Sequence, residues 1–446
     1  MKNKWNSLLS NILILLSDTM IVFSIIVLVG LHFQNEATGY FGRGSIKVAT
    51  VFMIINIIAS VMLNMYKLRF KQTNEMVMCE VITGIIAGFG AVVYAIIDKA
   101  YDFTQIAIQY TIIVSVLLSI IALCVWRFIL MCLVNRFHIK DKLMVIEHSS
   151  DDEENSIAKK IKYTSMKWFD TWYMKCDFEN DDKIAEMIGK ISEYDSVMIT
   201  QSIPEKAKRK ITDAAIGEGK SVYIVPTWYD INLTKYSLIQ FDDVPTFFIK
   251  PFNIERYQQF VKRFMDIVLS VIGIVVTSPI MLAAAILIKC DSKGPVIYQQ
   301  ERVTKNRKKF FIYKFRTMVD DAEKESGPRL ASSGDVRITK VGKVLRAWRI
   351  DELPQMFNIL KGDMSVVGPR PERPVFVDKF CERYQGYDKR FIVKAGLTGY
   401  AQTYGKYDTD VRDKMLYDLL YIREYSLALD IKIILLTLKT ILTHNG

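Results

Sequence analysis

The sequence predicts a multi-pass membrane protein in three parts. These are a bundle of four transmembrane helices at 1–139, an α/β domain at 140–252, and an α+β domain at 253–446 with a further membrane helix at 264–289. Three observations carry this. Four apolar runs, each near the ~20 residues that span a bilayer, fill the first third. Strand-like and helix-like segments then alternate. A last apolar run, with Ser278-Pro279 at its middle, precedes a stretch dense in charge. The 446 residues leave room for two or three domains. Half of them are hydrophobic and mean hydropathy is positive, at +0.16.

The four runs are about Leu9 to Leu31, Val48 to Tyr66, Met76 to Ile97 and Ile106 to Trp126. The first is too long for a signal-peptide core and lacks a small-residue cleavage site, so it reads as retained. Lys2 and Lys4 precede the first run, Lys67, Arg69 and Lys71 follow the second, and Arg127, Arg136, Lys140 and Lys142 follow the fourth. The other two loops hold only Arg43, Lys47 and Lys99. The positive-inside rule then puts both ends of the bundle in the cytoplasm. Asp18 lies inside the first span and reads as a polar contact between helices, with no partner nameable from sequence.

In the α/β part, KLMVIEH, SVMIT and SVYIV read as strands. Glu154 to Tyr163, Asp182 to Tyr194 and Glu205 to Glu218 read as helices. Such alternation argues for a parallel, doubly wound sheet. The first strand runs into His148-Ser149-Ser150 and then Asp151, Asp152, Glu153 and Glu154, with no glycine-rich loop. Four acids there repel a pyrophosphate, so the domain reads as structural or regulatory rather than dinucleotide-binding.

The run Ile267 to Ile288 poses a topological problem. As a straight helix it reaches ~33 Å, enough to cross a bilayer. Yet Lys262 and Arg263 precede it, and Lys289, Lys293, Arg302, Lys305, Arg307, Lys308 and Lys309 follow it. Both flanks therefore belong on the cytoplasmic side. Proline removes a backbone hydrogen bond and Ser278 can satisfy the freed carbonyl, so the expectation is a broken helix that enters one leaflet and returns.

Farther on, Asp351 and Glu352 stand side by side among Arg346, Arg349 and Arg370. Adjacent carboxylates repel, so a site keeping both ionised needs arginines or a metal. RIDELPQMFNIL reads as a short helix, with Pro354 tolerated only near its first turn. Helical neighbours point about 100° apart, so one acid can attack while the other holds a metal. Prolines on both sides of Arg370 fix the Gly368-Pro369-Arg370-Pro371 corner that presents it. Near the end, Lys432 and Lys439 share a helix face opposite an Ile/Leu stripe, which fits core packing or the membrane interface.

Composition narrows the chemistry. Net charge is +11, which suits anionic membranes and phosphorylated substrates. No nucleic-acid recognition motif is present. Cys79, Cys124, Cys132, Cys176, Cys290 and Cys381 form no CxxC pair and read as reduced thiols. None of the four histidines lies near the acid pair, which argues against histidine acid/base or zinc chemistry.

Five motifs then carry a resemblance. They are KFRTM (Lys314 to Met318), RITKVGKVLR (Arg337 to Arg346), DELPQ (Asp351 to Gln355), GDMSVVGPRP (Gly362 to Pro371) and KAGLTGYAQ (Lys394 to Gln402). From about Arg256 to Leu442 the chain resembles the bacterial sugar transferases, the polyprenyl-phosphate glycosyl-phosphate transferases. The resemblance implies transfer of a hexose 1-phosphate from a UDP-sugar to undecaprenyl phosphate with release of UMP. It implies a place at the first membrane step of exopolysaccharide, capsule or O-antigen synthesis. It also implies a Rossmann-like central domain, a re-entrant membrane helix, Mg²⁺ and a covalent aspartyl intermediate. Asp351 would be the nucleophile and Glu352 the Mg²⁺ ligand, with Lys314, Arg346, Arg370 and Asp418 at the substrate phosphates. Thr304 and Arg307 stand where members often have glycine. Expected surroundings are the bacterial cytoplasmic membrane, with soluble domains facing the cytoplasm and a homodimer as the assembly. Two other classes remain: an inactive scaffold recruiting glycan-assembly enzymes, and a membrane-tethered nucleotide sensor.

Overall fold

The computed structural model describes residues 7–33, 41–66, 73–97, 106–137, 140–149, 169–234, 236–241, 244–249, 252–319, 337–405 and 409–442. They form two compact units, Met1–Pro226 and Thr227–Gly446. The expected helix from Glu154 to Tyr163 and the acidic run at 151–154 lie outside the described residues.

In the first unit, four long apolar helices come first: α1 (Ser7–Phe33), α2 (Phe41–Met62), α3 (Thr73–Ile97) and α4 (Ile106–Phe137). Stretches of α1, α3 and α4 are long and apolar enough to cross a membrane, and α2 adds a shorter apolar segment over Lys47–Met62. Side chains such as Met20, Leu28 and Phe89 point outward, as a lipid-facing surface requires. Gly84 and Gly88, one turn apart on α3, let α4 approach closely, since a Cβ at Gly88 would lie 2.5 Å from Val116.

The bundle supplies the partner that Asp18 lacked. Arg127 of α4 pairs with Asp18 of α1 at 2.5 Å and with Glu80 of α3 at 2.8 Å, all three buried. Arg127 is therefore not a loop charge beyond the fourth span. The helix continues to Phe137, and this cation sits inside it. A buried arginine persists there because two carboxylates offset its desolvation.

The rest of the unit is a four-stranded parallel sheet in the order β2-β1-β3-β4. Its strands are β1 (Asp141–His148), β2 (Phe169–Cys176), β3 (Ser196–Ile199) and β4 (Ser221–Ile224). Helices α5 (Asp181–Gly189) and α6 (Glu205–Gly217) pack Ile184, Met187, Ile211 and Ala215 on Met144, Ile146, Val197 and Ile199. The central strands are buried on both faces and read as continuous apolar runs. Strand β2 escaped the sequence reading because it mixes polar and aromatic residues at the sheet edge.

The second unit mixes antiparallel and parallel pairing, as α+β predicts. It opens with α7 (Trp228–Leu233), held by a capping box between Thr227 and Asp230, and the hairpin β5 (Tyr236–Phe241)–β6 (Val244–Ile249). This segment, which the sequence groups with the α/β domain, lies with the second unit. Trp228 packs on Phe252, and Asn232 accepts a bond from Arg423.

Helix α8 (Arg256–Asp291) is 36 residues long with Pro279 inside it. Pro279 cannot donate to the carbonyl of Val275, and the Ser278 hydroxyl takes that acceptor at 2.8 Å. Val275, Val276 and Leu282 are about two-thirds exposed, which an apolar helix tolerates only in lipid. Lys262 and Arg263 are not simple flanking charges. Lys262 pairs with buried Asp430 at 2.7 Å, and Arg263 donates to the carbonyls of Ile359 and Leu360.

Beyond α8 come the hairpin β7 (Ile297–Val303)–β8 (Lys309–Phe315), then α9 (Lys340–Ala347), α10 (Gln355–Lys361) and β9 (Met364–Val367). Next are α11 (Pro374–Arg383), β10 (Ala395–Thr398), which pairs parallel with β9, α12 (Tyr400–Tyr404), α13 (Val411–Arg423) and α14 (Leu427–Leu442). In the hairpin turn Asn306 and Arg307 have φ of 56° and 57°. That left-handed backbone is one glycine adopts without strain, so the glycine that the resemblance leads one to expect at Arg307 would fit it. In α14, Ile433 and Leu436 are buried while Leu427, Ile431 and Leu438 stay exposed, so one face joins the core and another is left open.

Candidate active site

Glu352 is the centre of the charged cluster. Lys314 Nζ lies 2.8 Å from one oxygen and Arg370 3.2 Å from the same one, while Arg349 is 3.7 Å from the other. The three cations come from different elements, and each is placed by identifiable packing.

Lys314 sits on β8, opposite Tyr298. Strand β8 is tied to α10 by Asn358, fully buried, whose Oδ1 accepts from Tyr313 N at 2.9 Å and whose Nδ2 donates to Phe311 O at 2.8 Å. The helix following the acid pair is thus bolted to the strand carrying the lysine. Arg263 caps the far end of α10 by donating to its last carbonyls.

Arg346 lies in the last turn of α9, which starts at the Thr339 cap. A Cβ at Gly342 would meet Thr317 O at 2.2 Å, so only glycine lets α9 lie against the strand end. That approach brings Arg346 Nε to Thr317 Oγ1 at 2.8 Å.

Arg349 then adopts φ 52° and ψ 23°, uncommon for a side-chain-bearing residue. The left-handed turn costs roughly 1–2 kcal/mol. It starts the tight turn Ile350–Glu352, so the acids precede the α-helix rather than sit within it. The expected single helix over RIDELPQMFNIL is therefore two pieces, split at Pro354, which leads into α10.

The two acids are in opposite electrostatic states. Burial alone raises Glu352, but Arg370 and then Lys314 outweigh it and hold the carboxyl well below the usual range. Burial and the neighbouring Glu352 charge push Asp351 up to about 6, against the pull of Lys314, Arg346 and Arg370. Among the described residues no cation is within ion-pair distance of Asp351. Four cations face two carboxylates, leaving net positive charge for a phosphorylated ligand. One carboxylate organises the cations, and the other is left unpaired and comparatively basic, as a nucleophile requires.

A pH dependence follows. The proton on Asp351 is held more tightly in the fold than in the unfolded chain, and an Asp351 acting as a nucleophile would need it gone. At low pH kcat/KM should rise about tenfold per pH unit and level off above pH ~6, while Glu352 stays ionised throughout. A profile from pH ~4.5 to 8 checks this, and a flat profile across pH ~5 to 7 contradicts it.

Lys314 and Arg370 thus meet Glu352, and Arg346 lies near enough to pull on the charge of Asp351. Asp418 does not join them. It is buried on α13 with its Oδ2 on Arg390, at 3.0 Å from Nε and 2.7 Å from a terminal nitrogen. Ser278 and Pro279 shape α8 and lie outside the acid cluster. Asn358, Arg263 and Arg390 were not found from sequence. Apart from Tyr387, three residues from Arg390, their partners lie 20 to 97 residues away, and only Asn358 stands within reach of the DELPQ motif. Among the described residues no group of three or more His, Cys, Asp or Glu side chains is poised to hold a metal.

The profile of the family described as bacterial sugar transferase matches residues 257–444. A UDP-N-acetylgalactosamine-undecaprenyl-phosphate N-acetylgalactosaminephosphotransferase of Aeromonas hydrophila is 50% identical over 190 residues, 42% of this chain and 45% of that protein. A UDP-glucose:undecaprenyl-phosphate glucose-1-phosphate transferase of Klebsiella pneumoniae is 41% identical over 224 residues, 49% of this chain and 48% of that one. A putative undecaprenyl-phosphate N-acetylgalactosaminyl 1-phosphate transferase of Bacillus subtilis (strain 168) is 51% identical over 130 residues, 29% of this chain and 72% of that one. The chain spans about half the length of the first two relatives.

Proposed function

Since this chain is a member of the bacterial sugar transferase family, we propose that it transfers a hexose 1-phosphate from a UDP-sugar to undecaprenyl phosphate, releasing UMP. The observation that carries the mechanism is the asymmetry of the acid pair. Glu352 is matched by Lys314, Arg370 and Arg349, whereas Asp351 has no ion-pair partner among the described residues and is pushed up to about 6 by burial and by Glu352.

An Asp351 oxygen attacks the sugar-linked phosphorus. A P–O bond forms to the carboxylate, and the bond to the bridging oxygen breaks with its electron pair leaving on UMP. A phosphate oxygen of the lipid then attacks the same phosphorus and restores the Asp351 carboxylate. The product is a lipid diphosphate sugar. Two steps replace one direct transfer between anions. Arg370 suits bidentate contact with phosphate oxygens, and Lys314 and Arg346 add charge where it develops.

Mg²⁺ fits this donor set, because it is commonly held by one or two carboxylates together with substrate phosphates. Glu352 would hold it as Lys314 and Arg370 turn to the diphosphate. The ion would supply Lewis-acid neutralisation of the phosphoryl oxygens.

The likeness is stronger to the two relatives named for N-acetylgalactosamine, at 50% and 51%, than to the glucose relative at 41%. That supports an acetamido sugar as the donor. A panel of UDP-sugars with undecaprenyl phosphate and Mg²⁺ tests both claims. UDP-N-acetylgalactosamine is expected to give the fastest UMP release. Release from no UDP-sugar would overturn the reading, and preference for UDP-glucose would overturn the sugar alone.

The setting belongs to the same proposal: a multi-pass protein of the bacterial cytoplasmic membrane, with cytoplasmic domains, acting as a homodimer at the first membrane step of a surface polysaccharide. The parallel sheet serves as a Rossmann-like structural or regulatory domain. Helix α8 enters one leaflet and returns. Arg263 and Asp266 near its start bond to α10 and β9, and Ile288 and Asp291 near its end meet Phe315, Leu345 and Val341, all within one compact unit. The interrupted ladder at Pro279 supports a bend between them. In a variant lacking the six native cysteines, Tyr257→Cys and Tyr298→Cys should both resist membrane-impermeant thiol reagents in intact cells. Labelling at only one of the two indicates a full crossing.

A further inference from the structure

The corner that carries Arg370 is bonded at every residue. Gly368 N donates to Thr398 O at 2.8 Å, and Pro369 O accepts from Gly396 N at 2.9 Å. Pro371 O accepts from Arg302 at 3.1 Å, and Glu372 O from Val303 N at 3.0 Å. The carbonyl of Arg370 itself accepts from a side chain, a terminal nitrogen of Arg390, at 3.1 Å.

Arg390 is held in place for that contact by its other partners. It is 5% exposed. The same nitrogen and Nε both donate to Asp418 Oδ2, at 2.7 and 3.0 Å, and the other terminal nitrogen donates to the Tyr387 hydroxyl. Its guanidinium also lies over the Tyr387 ring, 4.7 Å from the centroid. Asp418 is 1% exposed and Tyr387 equally so. A planar cation fixed on three sides has little rotational freedom left. None of its described bonds reaches Asp351 or Glu352.

We infer that Arg390, locked by Asp418 and Tyr387, is a positioning residue that fixes the backbone of Arg370 so that its guanidinium meets the reacting phosphate in register. The inference rests on the transferase reading above. It assigns Asp418 and Arg390 a role at one remove from substrate. A small displacement of a phosphate-clamping arginine lowers the rate of the chemical step more than it weakens ground-state binding.

The experiment is a double-mutant cycle with Arg370, read by UMP release under single-turnover and steady-state conditions. Arg390→Lys keeps the charge but loses the fork, and should lower kcat at least about tenfold with KM for the UDP-sugar changed less than about threefold. In the Arg370→Lys background the same change should cost less than about threefold, because the group being positioned is already altered. Should Arg390→Lys not fold, Tyr387→Phe removes one hydroxyl and carries the same cycle, with an expected loss of at least about threefold. A merely structural role would lower the melting temperature and leave kcat per folded molecule unchanged. That outcome, or losses that multiply in full across the cycle, would overturn the inference. Wild-type enzyme is the control: if it releases no UMP, the transferase reading fails first and this inference falls with it. Release by wild type with fully multiplying losses sinks the positioning role alone.

Discussion

Asp351→Asn should remove at least about a thousand-fold of turnover while leaving the melting temperature nearly unchanged. The amide has almost the same shape as the carboxylate but is far less nucleophilic. The fold has little reason to miss the charge. No cation is within ion-pair distance of Asp351 among the described residues, and burial already disfavours its ionised form. With a UDP-sugar labelled in its sugar and no lipid acceptor, wild type should release UMP and keep the label. The label should map to Asp351 and leave on addition of undecaprenyl phosphate. Near-normal turnover in Asp351→Asn would mean another group attacks, with Glu352 the next candidate.

Glu352→Gln should fail differently. The amide cannot neutralise Lys314, Arg370 and Arg349, which now converge on its oxygens. Turnover should fall by roughly a hundred- to a thousand-fold, and the Mg²⁺ concentration for half-maximal rate should rise. KM for the UDP-sugar should stay level or drop, because the released cations remain free to bind phosphate. Stability should suffer as well. Arg370 and then Lys314 overcome the burial that would raise Glu352 and hold its carboxyl low, so the ionised residue stabilises the fold above the ordinary glutamate range. That contribution is lost only as pH falls toward the depressed folded-state value. Removing the carboxylate from this partly buried, ion-paired cluster costs about 1–3 kcal/mol. A lowered melting temperature in Glu352→Gln, beside an unchanged one in Asp351→Asn, separates organiser from nucleophile. Equal melting temperatures would contradict the division of labour.

The legible features are those written in consecutive residues. Hydropathy over about twenty residues identifies a spanning helix because the bilayer imposes one length on every segment. Strands β1, β3 and β4 were readable because each is a short apolar run. The acid pair, the Gly368-Pro369-Arg370-Pro371 corner and the Ser278-Pro279 interruption were likewise local, and the hydroxyl of Ser278 takes the carbonyl that Pro279 frees. The edge strand β2 was not readable, since its burial depends on one neighbour rather than on its own pattern.

Only the tertiary structure decided which charges meet. Asp18 and Arg127 are 109 residues apart, and nothing within either helix marks the other as its partner. Lys314 and Glu352 are 38 residues apart, and Arg390 and Asp418 are 28 apart. The sequence determined that Asp351 and Glu352 sit together among cations. The fold decided that three cations go to Glu352, that none among the described residues pairs with Asp351, and that Asp418 meets Arg390. The physical reason is range. Hydrophobic period and turn chemistry act over one or two turns of chain, whereas burial and Coulomb interactions depend on distances through space that packing alone fixes.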